Sequence, residues 1–169
     1  MRRTFTLAES DDRFLATAAR RHVHVVDVPT ASEHVWAALT ADDALVSWAN
    51  AVTDVRWHSP RPFGVGTVRT VTLARGVALT ERFFRWDEGR RMTFTVDSAS
   101  IPGLRRFAED IVVEPAGADT RVTWTFALEG EPALRPILWA GAPVNALVTG
   151  SIARGLTRGA LAVARRDPR

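Results

Sequence analysis

Alternating apolar and polar positions run through most of the chain, and this period of two predicts β-strands. Turn residues separate the alternating segments, for example Arg75-Gly76 between two of them. Because successive strands are joined by short turns, they are expected to form one antiparallel sheet. The predicted strands cover residues 22–28, 51–59, 65–74, 77–87, 90–98, 106–114 and 120–129.

Helical periodicity is confined to the end of the chain and to the segment after the first strand. Residues 136–166 repeat apolar or small residues at helical spacing and end in basic residues, which predicts a long C-terminal helix. Thr30 and Glu33 have capping-box spacing, which indicates a short helix, and residues 42–49 are predicted to form a second one.

These elements predict an α+β fold in which a curved antiparallel sheet wraps around the long C-terminal helix, with two short helices after the first strand. The cover that three helices give to such a sheet is expected to be incomplete, which would leave a cavity. Residues 1–20 are weakly patterned, and we interpret them as a flexible or loosely docked N-terminal arm before a single domain over residues 21–169.

The hairpin over residues 64–84 places charged side chains on an otherwise apolar face. Strand parity puts Arg69 and Glu81 on that face, and Glu109 points inward from a later strand. An unpaired buried charge costs several kcal/mol or more. One interpretation is structural: Arg69 pairs with Glu81 or Glu109, or a β-bulge exposes the charges. The other is a cavity whose polar groups converge on a small molecule.

In the second interpretation these charged residues are the catalytic candidates. Arg69 would bind a carbonyl, enolate or carboxylate, because guanidinium offers forked donors. Glu81 or Glu109, its pKa raised by desolvation, would act as general acid or base. The candidate ligand contacts are inward-facing residues of the strands and helices: Trp48, Trp57, Phe83, Phe94, Ser98, Phe107, Trp124, Asn145 and Val148.

Composition narrows the class of protein. The chain has 169 residues, of which 46% are hydrophobic and 24% charged, which is typical of a globular protein. It has no cysteine, no secretory signal and no apolar run long enough to span a membrane, so we expect a cytoplasmic protein. All basic side chains are arginines, interleaved with acids, at a net charge of +3. This spread argues against a nucleic-acid partner.

Cofactor and metal motifs are not found in the sequence. His22 and His24 lie two apart on one strand face, but no His-Cys or His-Glu spacing supports a zinc site. The segment GVGTVR lacks the third glycine of a dinucleotide fingerprint, and no helix follows it. We therefore predict neither a metal nor a cofactor.

Several segments in order carry a family resemblance: VDVPTASEHVWAALTADDALVSW, FGVGT, RWDEGRRMTFTV and VEPAGADTRVTWTFALEG, followed by the closing helix. Over roughly residues 22–166 the chain resembles the polyketide cyclase/dehydrase group of the START/Bet v 1-like superfamily. The resemblance implies the helix-grip fold and a cavity for a small hydrophobic, polyketide- or lipid-like ligand. It also implies cofactor-free cyclisation or dehydration, in which an arginine steers aldol-type ring closure, and Arg69 fits that role. The chain has no tyrosine, so no phenol can take part.

Three hypotheses remain open from the sequence: an acid–base enzyme, a non-catalytic carrier or sensor of a hydrophobic ligand, and a protein-interaction module. Inward carboxylates around Arg69, one with a raised pKa, would favour the enzyme. An apolar cavity with Arg69 held in an ion pair would favour the carrier, and a filled core the interaction module. A homodimer is also left open.

Overall fold

Seven long strands form a curled antiparallel sheet in the computed structural model, which describes residues 3–134 and 142–167. The strand order across this sheet is β2-β8-β7-β6-β5-β4-β3, and a short strand, β1, pairs with β6. Their alternation of buried and exposed residues follows from the period of two in the sequence. The strands are β1 Phe5–Thr6, β2 Arg20–Val28, β3 Val52–Trp57, β4 Val68–Leu73, β5 Ala78–Asp87, β6 Arg91–Ala99, β7 Leu104–Ala116 and β8 Asp119–Gly130.

Three α-helices are described: α1 Asp12–Thr17, α2 Ser32–Thr40 and the long α3 Ala142–Arg166. Short 3₁₀ turns occupy Ala74–Gly76 and Pro132–Leu134. Helix α3 packs against β2 and α2 and covers the concave face of the sheet. The predicted α+β architecture is confirmed, and so is the closing helix from residue 142 onward. The first residues of that prediction, 136–141, lie outside the described part of the chain.

The N-terminal segment is docked against the sheet, contrary to the expectation of a loose arm. β1 pairs with the end of β6, and the Leu7 amide donates to the Asp97 carbonyl at 2.9 Å. Leu7 belongs to the main core, while Phe14 and Leu15 of α1 pack on the outer face of β7 and β8. These few apolar residues anchor the segment to the sheet.

The segment after α2 also differs from its prediction. Residues 42–48 form a series of hydrogen-bonded turns rather than a second helix. Leu45 has a φ of 71°, a left-handed conformation that interrupts a right-handed helix. The capping box is wrong as well, because Ala31 occupies the N-cap of α2. Thr30 instead makes a 2.8 Å hydrogen bond from its hydroxyl to the His34 ring.

Glycines in α3 allow close contact with Trp48. A Cβ added at Gly159 would lie 2.4 Å from Trp48 Cδ1, and one at Gly155 would lie 2.6 Å from the Trp48 carbonyl oxygen. Trp48 is buried and cannot retreat easily. The two glycines therefore set how closely α3 approaches the turns over residues 42–48.

Substituting Gly159→Ala is expected to lower the free energy of unfolding by about 1–2 kcal/mol. The added methyl group overpacks against the Trp48 indole, and this destabilises the protein by more than the higher helix propensity of alanine stabilises it. Urea denaturation measures the change, and Ser151→Ala, on the exposed face of α3, is the control and should stay within about 0.5 kcal/mol of the wild type. A Gly159→Ala protein as stable as the wild type would contradict this packing.

Candidate functional site

A cavity of about 210 Å³ lies between the concave face of the sheet and helix α3. Its walls are mainly apolar. Two lining residues are Ile101, in the β6–β7 connection, and Val148, in α3. They are 39% and 38% exposed, so they lie at the mouth of the cavity. The wall residues include Val71, Leu79, Phe107, Trp124, Phe126, Leu128 and Ile152.

The charged residues that line this cavity in the described part of the chain are Arg69, Glu81 and Glu109. They are 2%, 3% and 7% exposed, so all three are buried. Arg69 and Glu81 are direct cross-strand partners on β4 and β5, which is why both point to the same face. Glu109 reaches the cavity from β7.

Arg69 and Glu81 form a close ion pair. The Nε of Arg69 donates to Glu81 Oε2 at 2.6 Å. Three aromatic rings, those of Trp57, Phe83 and Phe94, lie 5.1, 5.1 and 5.2 Å from the guanidinium carbon and add cation–π contacts. Among the described residues, Glu81 is the one hydrogen-bond acceptor of Arg69. The terminal amino groups of the guanidinium make no hydrogen bond to the described residues, and Arg69 lines the cavity.

Glu109 has a different environment. The indole Nε1 of Trp124 donates to its Oε2 at 2.7 Å, and Oε1 has no hydrogen-bond partner among the described residues. Burial raises the pKa of Glu109 well above its ordinary value, and the negative charge of Glu81 raises it further. The Trp124 hydrogen bond and the charge of Arg69 oppose this rise without cancelling it.

The two carboxyl groups consequently have different roles. Burial also raises the pKa of Glu81, and the charge and hydrogen bond of Arg69 oppose this rise more strongly than they do at Glu109, because Arg69 is bonded directly to Glu81. Of the two carboxyl groups, Glu109 has its pKa raised well above the ordinary value, so it is the one that favours the protonated form. Because Oε2 accepts from Trp124, such a proton would be carried by Oε1.

The predicted ligand contacts divide into two groups. Phe107, Trp124 and Val148 line the cavity as predicted. Trp57, Phe83 and Phe94 are not among its lining residues. Their rings instead contact the Arg69 guanidinium. Trp48 also lies away from the lining and packs on the glycines of α3.

The prediction for Ser98 is wrong. The pairing of β5 and β6 changes register between Thr80 and Glu81, because Asp97 is an extra residue on β6. The bulge reverses parity, so Val96 faces inward opposite Glu81 while Ser98 lies opposite Thr80 on the outer face. Asn145 was also a predicted contact, and its side chain lies outside the described residues.

Sequence reasoning missed part of the lining. Val71, Leu73, Val77 and Leu79 lie on the same strand face as Arg69 or Glu81, so their parity could have identified them. Ile101 lies in the β6–β7 connection, and Leu104 is the first residue of β7. At such positions no periodicity in the sequence predicts which way a side chain points. Thr149 lines the cavity from α3 and makes a 2.8 Å hydrogen bond to the His24 ring.

The curled sheet, the helix across its concave face and the cavity between them define the helix-grip class of fold. The chain belongs to the family described as polyketide cyclase / dehydrase and lipid transport, whose model matches residues 20–163. The resemblance stated from the sequence is thereby confirmed. An uncharacterized protein of Mycobacterium tuberculosis, Rv2574, is 33% identical over 145 residues, which cover 86% of this chain and 87% of that one.

Solved structures share this fold at low sequence identity. The protein TTHA0849 from Thermus thermophilus matches with a TM-score of 0.72 at 19% identity, covering 85% of this chain and 99% of that one. The Zhui aromatase/cyclase from a Streptomyces species matches with a TM-score of 0.66 at 15% identity, covering 87% and 94%. A START superfamily protein from Mycobacterium smegmatis matches with a TM-score of 0.65 at 10% identity, covering 82% and 97%.

The described residues contain neither a membrane-spanning helix nor a cluster of metal-binding side chains. None of the helices they form has the length and apolar character needed to cross a membrane. No group of three or more histidine, aspartate or glutamate side chains in the described ranges could hold a metal ion. Cytoplasmic localisation and the absence of a nucleic-acid partner stay predictions.

Proposed function

We propose that the protein binds a small, largely apolar molecule in this cavity and that Glu109, as a neutral acid, donates a hydrogen bond to an oxygen of that molecule. The observation that carries the proposal is the buried Glu109 carboxyl, held by Trp124 at 2.7 Å with its second oxygen unused among the described residues. Apolar walls supply affinity, and a few placed polar groups fix orientation.

The same geometry supports acid–base chemistry on the bound molecule. The carboxylate of Glu81 would accept the α-proton, the amino groups of Arg69 would stabilise the enolate oxygen that this forms, and Glu109 would protonate the departing hydroxyl so that it leaves as water. Such a step needs no cofactor. Cyclisation or dehydration of a polyketide-like substrate is the reaction class that the family description and the aromatase/cyclase neighbour suggest.

A second candidate is a carrier that binds the molecule without changing it. The tight Arg69–Glu81 pair favours this candidate, because a counter-ion already occupies one side of the guanidinium. The third hypothesis, an interaction module with a filled core, is not supported, since the interior contains a cavity. The enzyme and the carrier share the same binding site.

Binding is tested with two probes of the same shape, 2-acetylnaphthalene and 2-isopropenylnaphthalene, of which only the first has a carbonyl oxygen. We expect calorimetric titration to show about tenfold tighter binding of the ketone, the value of one net hydrogen bond. Glu109→Leu should abolish this preference, whereas Glu114→Leu, an exposed position on the same strand, should keep it. Equal affinity of both probes for the wild type would contradict a donor in the cavity.

Catalysis is tested separately by native mass spectrometry of protein purified from its own host. If the protein is an enzyme, a co-purified molecule should lose one water on incubation with the wild type but not with Glu109→Gln. A bound molecule of constant mass in both proteins would favour the carrier.

A further inference from the structure

Strand β2 forms one edge of the sheet and contains neither a bulge nor a proline that would prevent edge pairing. Nine consecutive residues, Arg20–Val28, pair with β8 without a bulge, and in the part of the chain that the structure describes β2 pairs with no other strand. The strand contains no proline, glycine or lysine. A regular edge of this length leaves a row of backbone groups free to pair with another strand.

The outward face of β2 is exposed and apolar at its centre. Val23 and Val25 are 42% and 58% exposed, and the charged residues Arg21 and Asp27 flank them. Helix α3 packs on the opposite, inward face, where Thr149 bonds the His24 ring. The helix therefore does not cover the valines.

The order of these four residues is complementary to itself. If two β2 strands run antiparallel about a two-fold axis at His24, Arg21 of each chain lies opposite Asp27 of the other, and Val23 lies opposite Val25. Each pair joins opposite charges or two valines, the combinations that stabilise cross-strand neighbours. Centring the axis on Val23 or Val25 instead loses the charge pairs.

The neighbouring charges are compatible with this arrangement. Asp27 already accepts from Arg121 of β8 at 2.8 Å, so the added arginine would extend a ladder across three strands. Burial lowers the pKa of His24, and the charges of His22 and Arg154 lower it further, so the imidazole at the axis is neutral at pH 7. The two His24 rings that meet at the axis therefore do not repel each other as like charges.

We propose that the protein forms a homodimer by antiparallel pairing of β2 with β2 of a second copy, about an axis at His24. The interface is isologous, because the same strand serves both subunits. Ile101, one of the residues at the mouth of the cavity, lies in the β6–β7 connection, which is separated from β2 by β7 and β8 in the sheet.

The proposed contact between Arg21 and Asp27 is tested with two variants, each of which carries charges of only one sign at these two positions. Arg21→Asp gives this face two acids and Asp27→Arg gives it two bases, so each protein alone should be a monomer of 18.6 kDa by analytical ultracentrifugation. An equimolar mixture should form a one-to-one heterodimer, in which both contacts again join opposite charges. Circular dichroism melting checks that both variants fold. A mixture that stays monomeric, or a wild type that is monomeric at its highest attainable concentration, would overturn the proposal.

A second variant tests the apolar centre without changing the charge pairs. Val25→Lys should raise the dimer dissociation constant at least tenfold, because it places a cation in the centre of the paired strands. Val65→Lys is the matched control: Val65 is 70% exposed but lies in the turn before β4, so the dissociation constant should not change. If Val25→Lys dimerises as tightly as Val65→Lys, the subunits do not meet at β2.

Discussion

Replacing Arg69 by methionine is expected to lower the free energy of unfolding by about 3–5 kcal/mol at neutral pH. The substitution leaves the ionised Glu81, 3% exposed, without its counter-ion in an apolar interior. It also removes the cation from between Trp57, Phe83 and Phe94. Urea denaturation followed by tryptophan fluorescence measures the change.

Two further variants show whether burial of the pair causes this loss. Arg121→Met breaks the exposed pair with Asp27, which has similar geometry, and should cost at most about 1 kcal/mol. Arg69→Met combined with Glu81→Met should recover most of the stability, because two apolar side chains leave no buried charge. Equal losses for Arg69→Met and Arg121→Met would show that the Arg69–Glu81 pair is solvated.

Replacing Glu109 by glutamine is expected to change how stability depends on pH. The pKa of Glu109 is raised in the folded protein, so the folded state keeps a proton that the unfolded chain releases above its ordinary pKa of 4.5. This contribution to stability is therefore complete below that pH and is lost as the pH rises toward the folded pKa. For one proton the loss is about 1.4 kcal/mol per pH unit.

Glutamine has no proton to release, so the Glu109→Gln protein should lack this loss. As the pH rises above about 4.5, the difference in unfolding free energy between the variant and the wild type should shift in favour of the variant. Parallel profiles for Glu109→Gln and the wild type would mean that the Glu109 pKa is not raised.

The strands and the inward charges could be predicted because the period of two is strong in this chain. Parity alone placed Arg69, Glu81 and Glu109 on the concave face, and each lines the cavity. The two interpretations of Arg69 are not exclusive in the structure: the guanidinium is ion-paired with Glu81, and the cavity lies beside the same pair.

Other features depend on backbone details that the sequence pattern does not carry. One extra residue at Asp97 moved Ser98 to the outer face, because a bulge reverses the parity of every later residue. The positive φ of Leu45 ended a helix that the apolar spacing had indicated. Which aromatic residues line the cavity and which support Arg69 depends on distances across several strands, and no local pattern encodes these.

The protonation state of Glu109 is the claim on which the proposed binding and chemistry rest. It can be measured by following the ¹³C chemical shift of the side-chain carboxyl through a pH titration of glutamate-labelled protein, with Glu109→Gln assigning the resonance. We predict that this carboxyl stays protonated well above pH 4.5, the ordinary pKa of a glutamate side chain. Titration of Glu109 at or below pH 4.5 would contradict a neutral acid in the cavity.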